Sequence, residues 1–391
     1  MLLIFALGMF LLWREGLLKN TAHLVFAFLF MAGAVVIRYF LLDFESGDYQ
    51  TFLAPWTQFF REHGGFKALG LSVGNYNLPY LYFLALFSYI DISELYLIKL
   101  LSIVFDVLLA WACMKLCSLF TKGRLRLIVC FFAVLLFPTV VLNGAYWAQC
   151  DSIYTFFAVL SLYLALSDKP VGAMVTITAS FAFKLQAVFV MPIFFVLLVA
   201  KKIKFKHLFI FPAAYLVMVL PAVIAGRPLW DTLTLYFSQA GTVGDAMNYN
   251  APSLTSMFRW GENTEMWSML LVIAAFVFMF IVFAVAIANR KKLDDRVIFG
   301  MAVLLAVGIP FLLPHMHDRY FFTGGMMCIV LAVSDLRFAV MPILAELASL
   351  GRSEIAECAS DHRQQFYEIR VAQAAEPAVH ELPQVVVQQQ Y

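Results

Sequence analysis

Residues 312–322 read LLPHMHDRYFF, which sets two histidines, an aspartate and an arginine at positions 315 to 319 of an otherwise apolar stretch. His315 and His317 are two apart, so they cannot share a helix face. On an extended loop they can, with Asp318 and Arg319 turned elsewhere. The pair suits hydrogen bonding better than metal binding, since no third ligand lies near in sequence. Arg319 carries a planar fork of donors that grips a phosphate through two hydrogen bonds. The plain alternative for it is an arginine–aspartate anchor at an interface.

Three other stretches hold chemistry-bearing residues. DFESGDYQTFLAPW, at 43–56, gathers Asp43, Glu45 and Asp48. Acids beside a bilayer are costly unless paired or solvated, so these three suggest a base, a cation site or a wet loop. In GAYWAQCDS, at 144–152, Gln149 and Asp151 stand where a helix begins. An aspartate there is a helix cap or a substrate contact. Lys184, between Phe183 and Leu185, snorkels, pairs with an acid, or meets an anion in a cavity. No CxxC occurs among Cys113, Cys117, Cys130, Cys150, Cys328 and Cys358. Cys113 and Cys117 share a helix face without a histidine or carboxylate to join them, so the cysteines read as small buried hydrophobes. These residues demand no cofactor and predict no dedicated metal site, although the carboxylates are compatible with a divalent cation.

The surroundings of these residues are unusual. The chain of 391 residues is 63% hydrophobic and only 13% charged, against ~25% charged in soluble domains. Such a chain dissolves largely in lipid. A net charge of +2 is too small to imply nucleic acid, and no phosphate-binding glycine loop is present. The fold class expected is an all-α, polytopic membrane bundle.

A helix needs ~20 apolar residues to cross the bilayer. Ala22–Leu42, Glu94–Phe120, Leu125–Asn143, Ser152–Ser167, His207–Ile224, Met266–Ala288 and Val297–Leu313 meet or approach this, and Tyr320–Val333 is short but plausible. Val171–Ala200 is too long for one pass and reads as two short helices broken at Lys184, Gln186 and Pro192. With a short N-terminal segment, about ten or eleven crossings result. The chain then divides into an extra N-terminal segment at 1–20, a membrane domain at 21–350 with outer loops at 43–93 and 226–265, and a polar tail at 351–391, part helical and part disordered.

Basic runs set the orientation. Lys122–Arg126, Lys201–Lys206 and Arg290–Lys292 all fall on the cytoplasmic side if the segment Tyr76–Ile90 does not cross. That segment then lies in the outer interface, with Tyr76, Tyr80, Tyr82 and Tyr89 as an aromatic belt. The outer face receives the 43–93 loop, GAYWAQCDS, the Lys184 break, the 226–265 loop and HMHDRY.

Taken in order, SGDYQTFLAPW, Gly64-Gly65, NYNLPYLY, AQCDS, FKLQAVFVMP and HMHDRYFF resemble the integral-membrane glycosyltransferases of the GT-C class, over about Arg38 to Ser334. The nearest group is the bacterial mannosyltransferase-like proteins related to the enzyme that adds the second mannose of GPI anchors. The resemblance implies a sugar donor on a polyprenyl phosphate, a catalytic acid in the first outer loop, and hence Asp48, with Asp43 and Glu45 as weaker matches. Arg319, His315, His317, Asp318, Lys184, Gln149 and Asp151 would line the donor and substrate site. The acceptor would be a cell-surface or cell-wall glycan, a lipid or a protein at the cell membrane. Two departures stand out: the segment before Thr21 is extra, and the chain turns polar after Ala348. A transporter of lipid-linked sugar is the rival, with Lys99 and Asp106 as charges inside a membrane segment.

Overall fold

The computed structural model describes residues 1–347 except 75, 241–245, 259, 261 and 262, with the backbone alone at 237–240. The tail expected at 351–391, with Cys358, lies outside the described residues. In chain order the helices are α1 (Leu2–Arg14), α2 (Thr21–Phe40), α3 (Ala54–Glu62), α4 (Leu78–Phe87), α5 (Glu94–Cys117), α6 (Arg124–Leu135), α7 (Pro138–Val141), α8 (Asp151–Leu166), α9 (Pro170–Phe183), α10 (Ile193–Val199), α11 (Ile210–Ile224), α12 (Leu229–Ala240), α13 (Thr264–Ala288), α14 (Asp295–Leu312) and α15 (Phe322–Ser334). Among the described residues, strand is confined to a two-residue parallel pair, β1 (Asn248–Tyr249) and β2 (Met316–His317). The chain is all-α.

Among the described residues five helical stretches are long and apolar enough to cross a membrane: α2, α5, Phe205–Ile224, α13 and α14. A sixth arises if Arg124–Leu135 and Pro138–Tyr146 are one span bent by 52°. The bend has a local cause. Pro138 has no N–H to give and pushes Phe137 into extended backbone at φ −61°, ψ 126°. This is fewer full-length spans than the ten or eleven expected. The difference lies in short apolar helices: α1, α4, α8, α9 and Leu185–Val199 fall below crossing length. Val171–Ala200 breaks where its polar residues predict, with Lys184 extended at φ −154°, ψ 136°.

The long helices expose apolar faces. α13 turns Met269, Ile273, Phe276, Phe280 and Ile281 outward and buries Leu271, Ala275, Val282 and Ala286. α2 likewise exposes Phe28, Leu29, Val36 and Phe40. Water would disfavour such faces, and they are compatible with lipid. At the centre α5 packs on α8, and α8 on α9. A second core forms where Leu53, Phe60 and Leu69 of the first long loop meet α4 and the Tyr215, Val219 and Ala222 side of α11.

The basic runs meet at one end. Lys202 bridges Asp295 at 3.1 Å, and Arg296 donates to the Phe120 carbonyl at 2.6 Å. The residues singled out for chemistry gather at the opposite ends of the same helices.

α4 has 10 residues, about 15 Å at ~1.5 Å each, so it cannot cross a bilayer. Of the tyrosines expected to form the belt, Tyr89 is 60% exposed and the others pack inward to different extents. Tyr80 is buried, Tyr82 donates to the Met218 carbonyl at 3.0 Å, and Tyr89 donates to the Gly64 carbonyl at 3.0 Å. The phenols serve the loop packing. Gly65 is one of the places where this demands glycine, since φ is +64° and a Cβ would stand 2.2 Å from the Tyr89 ring.

Candidate functional site

Two π-helical turns frame the site. Such turns interrupt the regular ladder and often sit at functional places. The first, Tyr49–Leu53, follows Asp48 and runs into α3. The second, Leu142–Tyr146, leads into the turn that carries Gln149. Ser46 joins the two loops, donating to the Trp147 carbonyl at 2.8 Å while accepting from Tyr49 N at 3.2 Å. Ser102 of α5 donates to the Gln149 carbonyl at 2.8 Å. Ala148 stands at φ +58° and His315 at φ +60°, conformations unfavourable for residues with a Cβ. Strain of this kind tends to collect at functional sites.

Asp48 is the point of convergence. Its Oδ2 accepts from Gln149 Nε2 at 2.6 Å and from Arg319 Nη1 at 3.0 Å. Among the described residues Oδ1 accepts no hydrogen bond. The Asp48 side chain is 41% exposed and that of Arg319 29%, so solutes can reach both. Tyr76 donates to Gln149 Oε1 at 3.3 Å. Burial raises the Tyr76 pKa well above its usual value, with Cys150 adding to the shift, so the phenol stays a donor. Burial also works against the charge of Arg319, but Asp48 overrides it and holds the guanidinium firmly protonated.

A second pair lies alongside. Lys184 Nζ meets Asp151 Oδ1 at 2.5 Å, and Asn143 Nδ2 donates to Asp151 Oδ2 at 2.7 Å. Lys184 also stands 5.7 Å from the centre of the Tyr76 ring, within cation–π range. Lys184 therefore has an acid partner and does not snorkel. Asp151 opens α8 but spends its side chain on Lys184 and Asn143 rather than capping its own helix.

The remaining candidates divide. His317 stacks on Tyr249 at 4.7 Å and meets Tyr320 edge-on at 5.3 Å. Burial, with Arg319 nearby, lowers its pKa to about 4, so it is neutral near pH 7. His315 turns the other way. Its Nδ1 donates to the Ala246 carbonyl at 2.6 Å, and its Nε2 lies 3.1 Å from Ser268 Oγ, which ties it to the 226–265 loop. Asp318 accepts from the Arg319 backbone N–H at 2.7 Å. Asp43 accepts from Tyr96 at 2.8 Å and Glu45 from Gln50 at 3.2 Å, so neither contacts Arg319. Among the described residues no group of three or more His, Cys, Asp or Glu could hold a metal ion. The five described cysteines are buried and unbridged.

Lys99 and Asp106, the charges that a transport path would use, are already engaged. Asp106 accepts from Arg38 Nε at 3.0 Å and Nη2 at 2.9 Å, and from Ser152 at 2.5 Å. Lys99 donates to the carbonyls of Leu41 at 2.8 Å, Leu42 at 3.0 Å and Phe44 at 2.5 Å. Charge and polarity in the sequence pointed to Gln149, Arg319 and the acids of the first outer loop, among which the resemblance favoured Asp48. Tyr76 and Asn143 lacked that mark, since both sit in stretches where tyrosine or asparagine has an ordinary explanation.

No protein-family model matches this sequence, and no curated protein matches it. The functional reading therefore rests on the residues and their arrangement.

Proposed function

We propose that this protein is a multi-pass cell-membrane glycosyltransferase of the GT-C class. It would move a hexose, mannose-like, from a polyprenyl-phosphate sugar to a hydroxyl of a surface glycan, lipid or protein. The observation that carries this reading is the state of Asp48. One carboxylate oxygen is held by Gln149 and Arg319, the other accepts no hydrogen bond among the described residues, and the side chain is 41% exposed. Positively charged runs collected at the far end support reading this site as one at the outer face.

In the proposed reaction the acceptor oxygen attacks the anomeric carbon. Its proton passes to Asp48 Oδ1, help worth ~10²–10⁴-fold. The bond between the anomeric carbon and the phosphate oxygen breaks, and its electron pair stays on the phosphate. Arg319 then stabilises the leaving polyprenyl phosphate, with Lys184 close behind. His317, neutral, can give a hydrogen bond but no charge. Attack opposite to the leaving group inverts the anomeric centre.

Transport of lipid-linked sugar is the second reading. It is weakened by the engagement of Lys99 and Asp106, the two charges it would use, with Arg38, Ser152 and backbone carbonyls. The test is transfer in nanodiscs from radiolabelled polyprenyl-phosphate mannose, glucose or galactose to a crude acceptor extract. Label appearing on an acceptor supports the enzyme. Label crossing the bilayer without transfer supports the transporter.

A further inference from the structure

An apolar groove of about 760 Å³ runs along α14, between Arg296 and Leu312. Its walls include Phe299, Val303, Leu304, Val307 and Phe311, and it ends beside the 3₁₀ turn Leu336–Phe338. Along the helix it extends about 24 Å at ~1.5 Å per residue, beyond the ~15 Å of one bilayer leaflet. The Asp48 site lies past the opposite end of α14, so the groove is separate from it.

The two ends of the groove differ. At Leu312 the lining carries no charge. At the other mouth stand Arg296, Arg337 and Asp335. Arg337 is paired with Asp335, through Nη2 at 2.6 Å, yet its side chain is 85% exposed. Arg296 donates to the Phe120 carbonyl and leans on that ring at 5.6 Å. Among the described residues no carboxylate lies within bridging distance of it. Two cations thus share one anion, at the end where the basic runs collect.

Gly300 shows where the groove lacks protein. A Cβ built there meets nothing within 4 Å. A glycine inside a helix costs ~1 kcal/mol relative to alanine, and here no neighbouring atom requires it.

We propose that this groove binds an anionic phospholipid of the surrounding bilayer, with one acyl chain along α14 and its phosphate between Arg296 and Arg337. The site rests on the membrane reading but not on the sugar-transfer chemistry. An apolar slot of this length fits an acyl chain, and a mouth with surplus positive charge selects an anionic head. Cationic residues at a membrane surface attract such lipids. A lipid seated there would bridge α14 to the turn after α15.

The test is native mass spectrometry of the full chain, titrated in detergent with dioleoyl phosphatidylglycerol or dioleoyl phosphatidylcholine. Wild type is expected to retain one phosphatidylglycerol about tenfold more tightly than phosphatidylcholine, ~1.4 kcal/mol. Arg296→Gln with Arg337→Gln should bind the two lipids alike. Gly300→Trp fills open space, so it should keep the wild-type melting temperature and lose the bound lipid; Gly300→Leu serves as the milder blocking variant. Equal retention of both lipids by wild type, or undiminished retention in folded Gly300→Trp and Gly300→Leu, would overturn the proposal. None of these readings depends on transfer activity, so failure of the enzyme reading would leave them unchanged.

Discussion

At the scale of single residues, the proposed reaction gives the proton to Asp48 and the phosphate to Arg319 and Lys184. Gln149 and Arg319 fix one oxygen of Asp48, so the orientation of the other is set before substrate arrives. Hydrogen bonds to charged groups are worth ~1.5–3 kcal/mol. Gln149→Leu should therefore lower kcat by ~10–100-fold, with KM for the donor little changed, as steady-state kinetics would show. His317 gives a prediction in pH. In the folded protein it stays neutral down to about pH 4, whereas in the unfolded chain it takes a proton near ~6.5. Between those values the unfolded state binds more protons, so this contribution to stability is complete above ~6.5 and shrinks as pH falls towards 4. Thermal unfolding across pH 4–8 should show that loss, and His317→Asn should flatten it. The sequence made Arg319 and Lys184 legible because a charge in apolar surroundings needs a reason, whereas only the GT-C resemblance set Asp48 ahead of Asp43 and Glu45. It did not separate His317 from His315. Their opposite roles follow from a backbone turn at His315 with positive φ, and nothing in the order of residues marks that turn.

At the scale of elements, irregular backbone does the positioning. The chain leaves the helical ladder after α2, and Lys99 collects the carbonyls of Leu41, Leu42 and Phe44 just before the Asp48 loop. Lys99→Met would strand these carbonyls in a buried place, at ~1–3 kcal/mol. A lower melting temperature in detergent, with faster hydrogen exchange over residues 41–48, is the expected outcome. The break at Lys184 and the short α4 could be read from the sequence, since a lysine or a length of 10 residues limits what a helix can do. The 52° bend at Pro138 could not be placed, because proline also sits inside α11 and α14 without ending either helix. The tyrosines of 76–90 could not be sorted for a similar reason: tyrosines suit an interface and a loop core equally, and here Tyr80 is buried while Tyr89 stays 60% exposed.

At the scale of the whole molecule, one end gathers basic residues and the other gathers the Asp48 cluster. The buried Arg38–Asp106 pair joins α2 to α5 between them. Removing one member should be severe: Arg38→Met would leave Asp106 uncompensated, at ~3–5 kcal/mol. The double variant Arg38→Met, Asp106→Leu should recover much of that, as chemical unfolding of both would show. The all-α class was legible from composition alone, whereas the number of full-length spans was not, because apolar runs of 13 to 16 residues form helices too short to cross. The proposed function joins these scales in one arrangement, with Asp48 as a base at the outer end of a membrane bundle and Arg319 facing the donor phosphate. The most direct measurement is transfer from the accepted polyprenyl-phosphate sugar by Asp48→Asn in nanodiscs, with donor binding measured in the same preparation. Donor binding close to wild type and a kcat lower by at least ~10²-fold are expected. Full transfer by a folded Asp48→Asn protein would contradict the proposed role of Asp48.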